Sequence, residues 1–228
     1  MKRVCVVCEG QSEETFVRTV LTPAFVQIGV LLIGEMIETS TGHRGGALNY
    51  DRVKRHVRNT LRQSSKPFVT TMFDLYRLDT GFPGFADSRK QPALESRLAI
   101  LLNSFHADII QQAGCTPDRF IPHLQPFEFE SLLFSDVDTL VSVEERWTSA
   151  AGRLRAIRAA AATPEHINDD PNTHPAVHLM RELRDPRYRK ARHGPIASGK
   201  IGLARIEKEC LFFATWLSRL RALSESSS

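Results

Sequence analysis

The sequence predicts an α/β fold, an open and mostly parallel sheet flanked by helices, with a helical C-terminal extension. Three observations lead there. Short apolar runs alternate with amphipathic helical patterns in the order strand, helix, strand, helix, strand, helix, strand. Several of those runs close on an acid. Beyond residue 137 the strand signals stop and only helical patterns and turn-rich loops follow.

The first run, residues 4 to 8 (VCVVC), is apolar throughout, as a strand buried on both faces should be. It ends on Glu9, a carboxylate that at such a place must be solvated, paired or bound to a metal. Gly10 permits the sharp exit. Ser12 suits a helix N-cap, and Glu13 and Glu14 fall in the first turn, where they either complement the helix dipole or join a site. A helix over 13 to 27 follows, with Thr15, Phe16, Val20 and Leu21 inward and Pro23 disturbing its end. A strand over 30 to 38 and a loop over 42 to 50 lead to a basic helix over 51 to 62, with Val53, Val57 and Leu61 on one face. The next strand, 68 to 73, ends on Asp74.

Residues 76 to 88 (YRLDTGFPGFADS) read as a long loop of turn formers and aromatics; long loops beyond strand ends often carry function. The helix over 94 to 113 puts Leu98, Leu101, Leu102, Phe105, Ile109 and Ile110 on its core face. A strand over 120 to 125 runs into 126 to 136 (PFEFESLLFSD). Glu128 and Glu130 precede or open a helix there: in a strand they share a face, and in a helix they lie about 200° apart. Helices over 150 to 162, 176 to 183 and 201 to 223 surround a turn-rich loop over 166 to 175. Residues 1 to 140 thus form the sheet-bearing unit, 141 to 223 the helical extension packed on it, and 224 to 228 a frayed tail.

Composition sets bounds. Hydrophobic residues at 42% and charged residues at 25% are globular values, which excludes wholesale disorder. A net charge of +4 permits a polyanionic partner. The cations concentrate: Arg181, Arg184, Arg187, Arg189, Lys190, Arg192, His193 and Lys200 fall within twenty residues. Cys5 and Cys8 form a C-x-x-C pair inside a strand, where they point to opposite faces and read as small buried residues rather than a zinc or redox pair. The first strand has no leader-like segment before it, and the longest later apolar stretch, 26 to 33, is too short for a membrane span. A reducing cytoplasm is the expected compartment. Gly45-Gly46 is too short for a nucleotide loop, and neither a Walker pattern nor GxGxxG occurs. His166, His174 and His178 lack zinc spacing with a cysteine.

Glu9, Asp74 and the pair Glu128/Glu130 lie at or just beyond strand ends, far apart in sequence yet able to meet at one sheet edge. Such a set suits Mg²⁺ or Mn²⁺, which take a few carboxylates and leave positions for phosphate oxygens. Lys190 and Lys200 could neutralise phosphate charge. His193, beside Gly194-Pro195, is either a phosphate contact or a loop residue.

Glu9-Gly10-Gln11-Ser12-Glu13-Glu14 at the end of strand one, with Asp74 ending a later strand, resembles the Toprim fold of topoisomerases, primases and OLD-family nucleases. The chain more specifically resembles a prokaryotic family of small Toprim-like proteins, the RloG-like proteins. This likeness is carried by GGALNYDRVKR (45 to 55), TTMFDLYRLDTGFPG (70 to 84), FEFESLLFSD (127 to 136), PEHINDDPNTHPA (164 to 176) and YRKARHGPIASGKIGL (188 to 203). The resemblance implies Glu9 as general base or metal ligand and Asp74 as leading metal ligand, with Glu13 nearby. It departs from the pattern twice. Tyr76 stands where the second acid of an Asp-x-Asp is expected, with Asp79 the nearest substitute, and Phe127 stands where the family commonly has His. Either departure means weakened metal binding, a different third ligand such as Glu128 or Glu130, or a nuclease that has lost activity. The resemblance implies a divalent-metal nuclease acting on nucleic acid, with an ABC/SMC-like ATPase partner in anti-phage or DNA-processing work. The alternative is a catalytically silent module binding nucleic acid or the ATPase. Self-association is a further expectation, and a small-molecule phosphohydrolase is the third class.

Overall fold

The computed structural model describes residues 1–40, 43–44, 49–167 and 170–225, with backbone alone at 38–40 and 43–44. Gly45-Gly46, most of the loop predicted over 42 to 50, Asn168-Asp169 within the 166 to 175 loop, and the tail from residue 226 lie outside the described residues.

Strand β1 (Lys2–Cys8) leads into α1 (Gln11–Phe16), a π-helical turn (Val17–Leu21) and α2 (Thr22–Val26), which run on without a break. The helix therefore starts two residues before the predicted 13. Its N-cap is Gly10 and not Ser12, because the Glu13 carboxylate folds back to accept the Gly10 N–H at 2.9 Å. Next come β2 (Val30–Met36), a small hairpin of β3 (Glu38–Ser40) and β4 (His43–Arg44), and α3 (Tyr50–Leu61). Strand β5 (Phe68–Asp74) is followed by α4 (Phe85–Ser88) within the predicted loop, then α5 (Leu94–Ala113), β6 (Phe120–Ile121) and β7 (Leu124–Gln125). A 3₁₀ segment, Phe129–Ser135, opens the helical half: α6 (Val137–Val141), α7 (Ala151–Ala159), α8 (Pro175–Glu182), α9 (Lys190–Ile201), α10 (Leu203–Glu209) and α11 (Leu211–Glu225).

The sheet order is β2-β1-β5-β6, with β7 also paired to β5, and every one of these pairings is parallel. Cys8 pairs with Met72, so the exits of β1 and β5 stand side by side with Glu9 one residue and Asp74 two residues past that level. Side-chain alternation splits β1 between two cores. Val4, Val6 and Cys8 pack with Phe16, Phe129, Phe213 and Trp216, whereas Cys5 and Val7 pack with the inner faces of α3 and α5. Both cysteines are free and buried, each in a different core.

Two helical assignments change. The predicted 201 to 223 helix is three pieces: α9 stops at Gly202 (φ 81°, a left-handed value glycine adopts without strain), and Cys210 divides α10 from α11. The basic segment around 190 is itself helical, and Ser224 and Glu225 complete α11 rather than fraying. Trp216 of α11 donates its indole N–H to Thr70 Oγ1 of β5 at 2.8 Å, so the C-terminal helices close one face of the sheet. Among the described residues no helix is long and apolar enough to cross a membrane.

Candidate metal centre

Five carboxylates gather at the shared exit of β1 and β5. Because β1 ends at Cys8, Glu9 is delivered to the sheet edge, where its Oε2 accepts the Asp74 backbone N–H at 3.2 Å. Asp74, the last residue of β5, accepts the Phe129 N–H at 2.8 Å through Oδ1. That bond draws the start of the 3₁₀ segment onto the strand end. Glu128 is still extended (φ −146°, ψ 157°) and the helical turn begins one residue later, so Glu128 and Glu130 reach the same place. One ligand atom from each of Asp74, Glu128 and Glu130 can lie within 4.8 Å of the others.

Lys190, at the first position of α9, reaches into this group. Its Nζ donates to Glu128 Oε1 at 2.9 Å and stands 3.2 Å from Glu130 Oε2. Glu128 is the most satisfied of the acids, since its Oε2 also accepts the Ala176 N–H at 2.8 Å and meets His174 Nδ1 at 2.6 Å. Burial works to raise the pKa of Glu128, but Lys190, the Ala176 N–H and His174 outweigh it and hold the group below the usual carboxylate range. Glu130 has less support: among the described residues Tyr188 Oη stands at 3.4 Å, besides Lys190. Burial, opposed by Lys190 and reinforced by Glu128 and Glu13, lifts it to about 7. Glu13 also rises to about 7, through burial and then the charge of Glu9. Burial with Glu9, Glu13 and Glu130 raises Asp74 well above its ordinary value; burial also raises Glu9. The same crowd, partly offset by its own burial, raises Lys190.

Carboxylates packed this way cannot all be ionised with a single lysine for balance. They must hold protons or receive further positive charge. Hard oxygen donors in a small cluster are what Mg²⁺ or Mn²⁺ takes, so the donor set fits such an ion.

Of the predicted residues, Glu9, Glu13, Asp74, Glu128, Glu130 and Lys190 come together. Asp79 goes elsewhere: its carboxylate accepts the Tyr50 N–H at 2.7 Å and the Gly81 N–H at 3.1 Å, fixing the loop after β5 against the start of α3. Lys200 points its Nζ to the Ser142 carbonyl at 3.2 Å, ten residues along α9 from Lys190. His193 is not a loop residue: it is buried inside α9 and accepts the Arg189 N–H at 2.8 Å. The basic segment is not one cationic face, because Arg192 pairs with Glu144 and Arg181 with Glu182.

His174 and Tyr188 are site residues that the sequence reading missed. The ring of His174 stacks on Tyr76, with centroids 4.3 Å apart, so the residue in place of a second acid holds the partner of Glu128. Gly194 lets α9 approach closely: a Cβ there would stand 2.9 Å from the Phe129 ring. The signals available were the order His174-Pro175 before a helix and Tyr188 two residues before Lys190.

A family model described as a domain of unknown function, DUF4276, matches residues 8–221. The chain belongs to the DUF4276 family. The matched span contains every residue of the acidic centre, from Glu9 to Lys190. No curated protein matches this DUF4276 chain. Among solved structures it is similar to the C-terminal region of the OLD protein of Xanthomonas campestris pv. campestris. The form phased with iodine has 14% identity and a TM-score of 0.41, with 99% of this chain and 97% of the other covered. The form phased with mercury has 13% identity and a TM-score of 0.42 over the same shares.

Proposed function

We propose that this DUF4276 protein is a divalent-metal-dependent, Toprim-like enzyme of RloG-like type that cleaves nucleic-acid phosphodiesters. The observation that carries this reading is the meeting of Asp74, Glu128 and Glu130 beside Lys190 at the carboxyl edge of a parallel sheet, where ligands of such sheets bind. Asp74, Glu128 and Glu130 would hold Mg²⁺ or Mn²⁺, with Glu9 and Glu13 beside them. When bound, the ion polarises a phosphoryl oxygen and activates water. Glu9, whose pKa burial raises, would accept a proton at its carboxylate from an attacking water. Lys190 would offer its ammonium to the developing phosphate charge. A cytoplasmic setting, an ABC/SMC-like ATPase partner in phage defence or DNA processing, and self-association belong to the same proposal.

Purified protein is to be assayed on plasmid and single-stranded substrates with Mn²⁺, together with Glu9→Ala and Asp74→Ala. Both variants should lose cleavage; activity surviving in both overturns the mechanism.

One observation favours a second reading. Lys190 Nζ already sits against Glu128 and Glu130, as the cation of a catalytically silent binding module would, and Tyr76 replaces an acid. Calorimetric Mn²⁺ titration separates the two, since the silent module shows no binding that depends on Asp74.

A further inference from the structure

Beside the acidic centre lies a cavity of about 360 Å³, built by the loop after β5 together with α4 and α5. Leu78, Phe85 and Leu101 give its floor an apolar part, beside Arg97 and the buried Ser88; Tyr76, Arg77 and Arg89 also line it. Leu78 and Leu101 are buried, whereas Arg77 and Arg89 are exposed. An apolar floor beneath guanidinium groups fits a ligand with a flat apolar body and an attached anion.

The walls are fixed. Asp79 ties the loop to Tyr50 and Gly81, and Gly84 (φ 77°) presses so close to α5 that a Cβ would stand 2.7 Å from Ser104 Oγ. Arg77 has a positive φ of 59°, a strained value for a residue with a side chain. Its guanidinium is held 5.2 Å from the centroid of the Tyr76 ring. The neighbouring acid Asp87 is engaged by Lys90 at 2.7 Å.

Position completes the argument. Tyr76 is two residues from Asp74, so their Cα atoms are at most about 7 Å apart. The same Tyr76 ring stacks on His174, which contacts Glu128. Cavity and acidic centre therefore share a wall.

We infer that this cavity seats one nucleotide unit of a single nucleic-acid strand, the base on the apolar floor and its phosphate between Arg77 and Arg89, so that the neighbouring phosphodiester lies at the acidic centre. This inference deepens the proposed function and rests on it for the second half of that statement.

The test uses the full chain in EDTA, so that binding is read without metal. Fluorescence anisotropy with a labelled oligonucleotide of about 12 nucleotides compares wild type with Arg77→Asn/Arg89→Gln; Asn tolerates the positive φ at 77. The double variant should bind at least about tenfold more weakly, and its salt slope should fall by about 0.7, for the one phosphate that the two arginines share on a single strand. Arg89→Gln alone, at an exposed helix end, should give about half of that change even if the double variant folds poorly. Affinities within twofold of wild type, or no strand binding by wild type, overturn the inference. AMP should displace the strand only at large excess; displacement at equal concentration makes this a free-nucleotide site and overturns the strand assignment. Mn²⁺ titration of the same variants keeps the two ideas apart. Lost strand binding without any Mn²⁺ binding leaves the cavity assigned and removes the metal mechanism, whereas normal Mn²⁺ binding with unchanged strand affinity does the reverse.

Discussion

Glu130 and Glu165 are both buried glutamates raised to about 7, yet their surroundings are opposite. Glu165 lies in the core away from the acidic centre, where burial raises it; it accepts two backbone N–H groups at the start of α11, from Phe212 at 2.9 Å and Phe213 at 3.0 Å, and a hydrogen bond from the Gln125 side chain. Its needs are met by one helix end and that amide, so it serves as a buried cap. Glu130 shares its site with other acids and a lysine. A raised carboxylate therefore does not by itself mark function. What separates the two is crowding: one acid is satisfied by neutral donors, while the others would be relieved by an ion.

The largest expected effect breaks that contrast at the crowded site. Asp74→Asn keeps an acceptor for the Phe129 N–H but removes one charge. Mn²⁺ affinity should fall at least 100-fold, about 2.8 kcal/mol, while the metal-free protein melts higher. Calorimetry and thermal melts read the two together, and a lower melting point with unchanged affinity would contradict the crowding account. In wild type, Glu130 must lose its proton to bind metal, so affinity should rise and proton release decline as pH climbs through about 7.

Lys190→Met comes next. It leaves Glu128 and Glu130 buried without their cation, at a cost of about 2–3 kcal/mol in urea unfolding, discounted because the lysine side chain is 40% exposed. The loss should grow with pH, since the acids recover by taking up protons. If Lys190 competes with an ion, the variant also binds Mn²⁺ more tightly than wild type; weaker binding would mean that the lysine positions the ligands.

The sheet and the crowded site were largely legible in the sequence, and the solitary acid was not. Residues 4 to 8 and 68 to 74 announce buried strands by composition, and a carboxylate at the end of such a strand has few resting places, so Glu9 and Asp74 could be read directly. Glu128 and Glu130 were left between strand and helix, and the chain resolves this by changing conformation between them. Asp79 and Lys200 misled because closeness in sequence to a site residue does not set direction: Asp79 turns to Tyr50, and Lys200 lies at the far end of the helix that begins with Lys190. His174 and Glu165 act through partners 46 and 47 residues away, and no local pattern encodes such pairings.

Glu165→Gln sharpens the comparison from the other side. The folded-state pKa of about 7 lies above the unfolded value of 4.5, so the folded state binds the proton more tightly. Its contribution is fully present below pH 4.5 and is lost as pH rises through 7. Across pH 5 to 7 the wild type should lose about 2 kcal/mol of stability through this group, on top of losses from the crowded acids. The Gln variant cannot ionise and should show a shallower slope in urea unfolding, with Mn²⁺ binding unchanged. An unchanged slope would mean that Glu165 stays charged in the fold, held by the α11 N–H groups.

The smallest effect is expected at Asp79. Asp79→Ala removes the acceptor for Tyr50 N–H and Gly81 N–H and should cost about 1 kcal/mol, the usual value of a lost cap. Mn²⁺ affinity should not move, because the carboxylate faces α3 and not the acidic centre. Oligonucleotide affinity should fall if the loop it fixes forms the wall of the strand cavity. A variant that loses metal binding and keeps strand binding would place Asp79 with the crowded acids after all, and would restore it as the missing second acid that Tyr76 displaced.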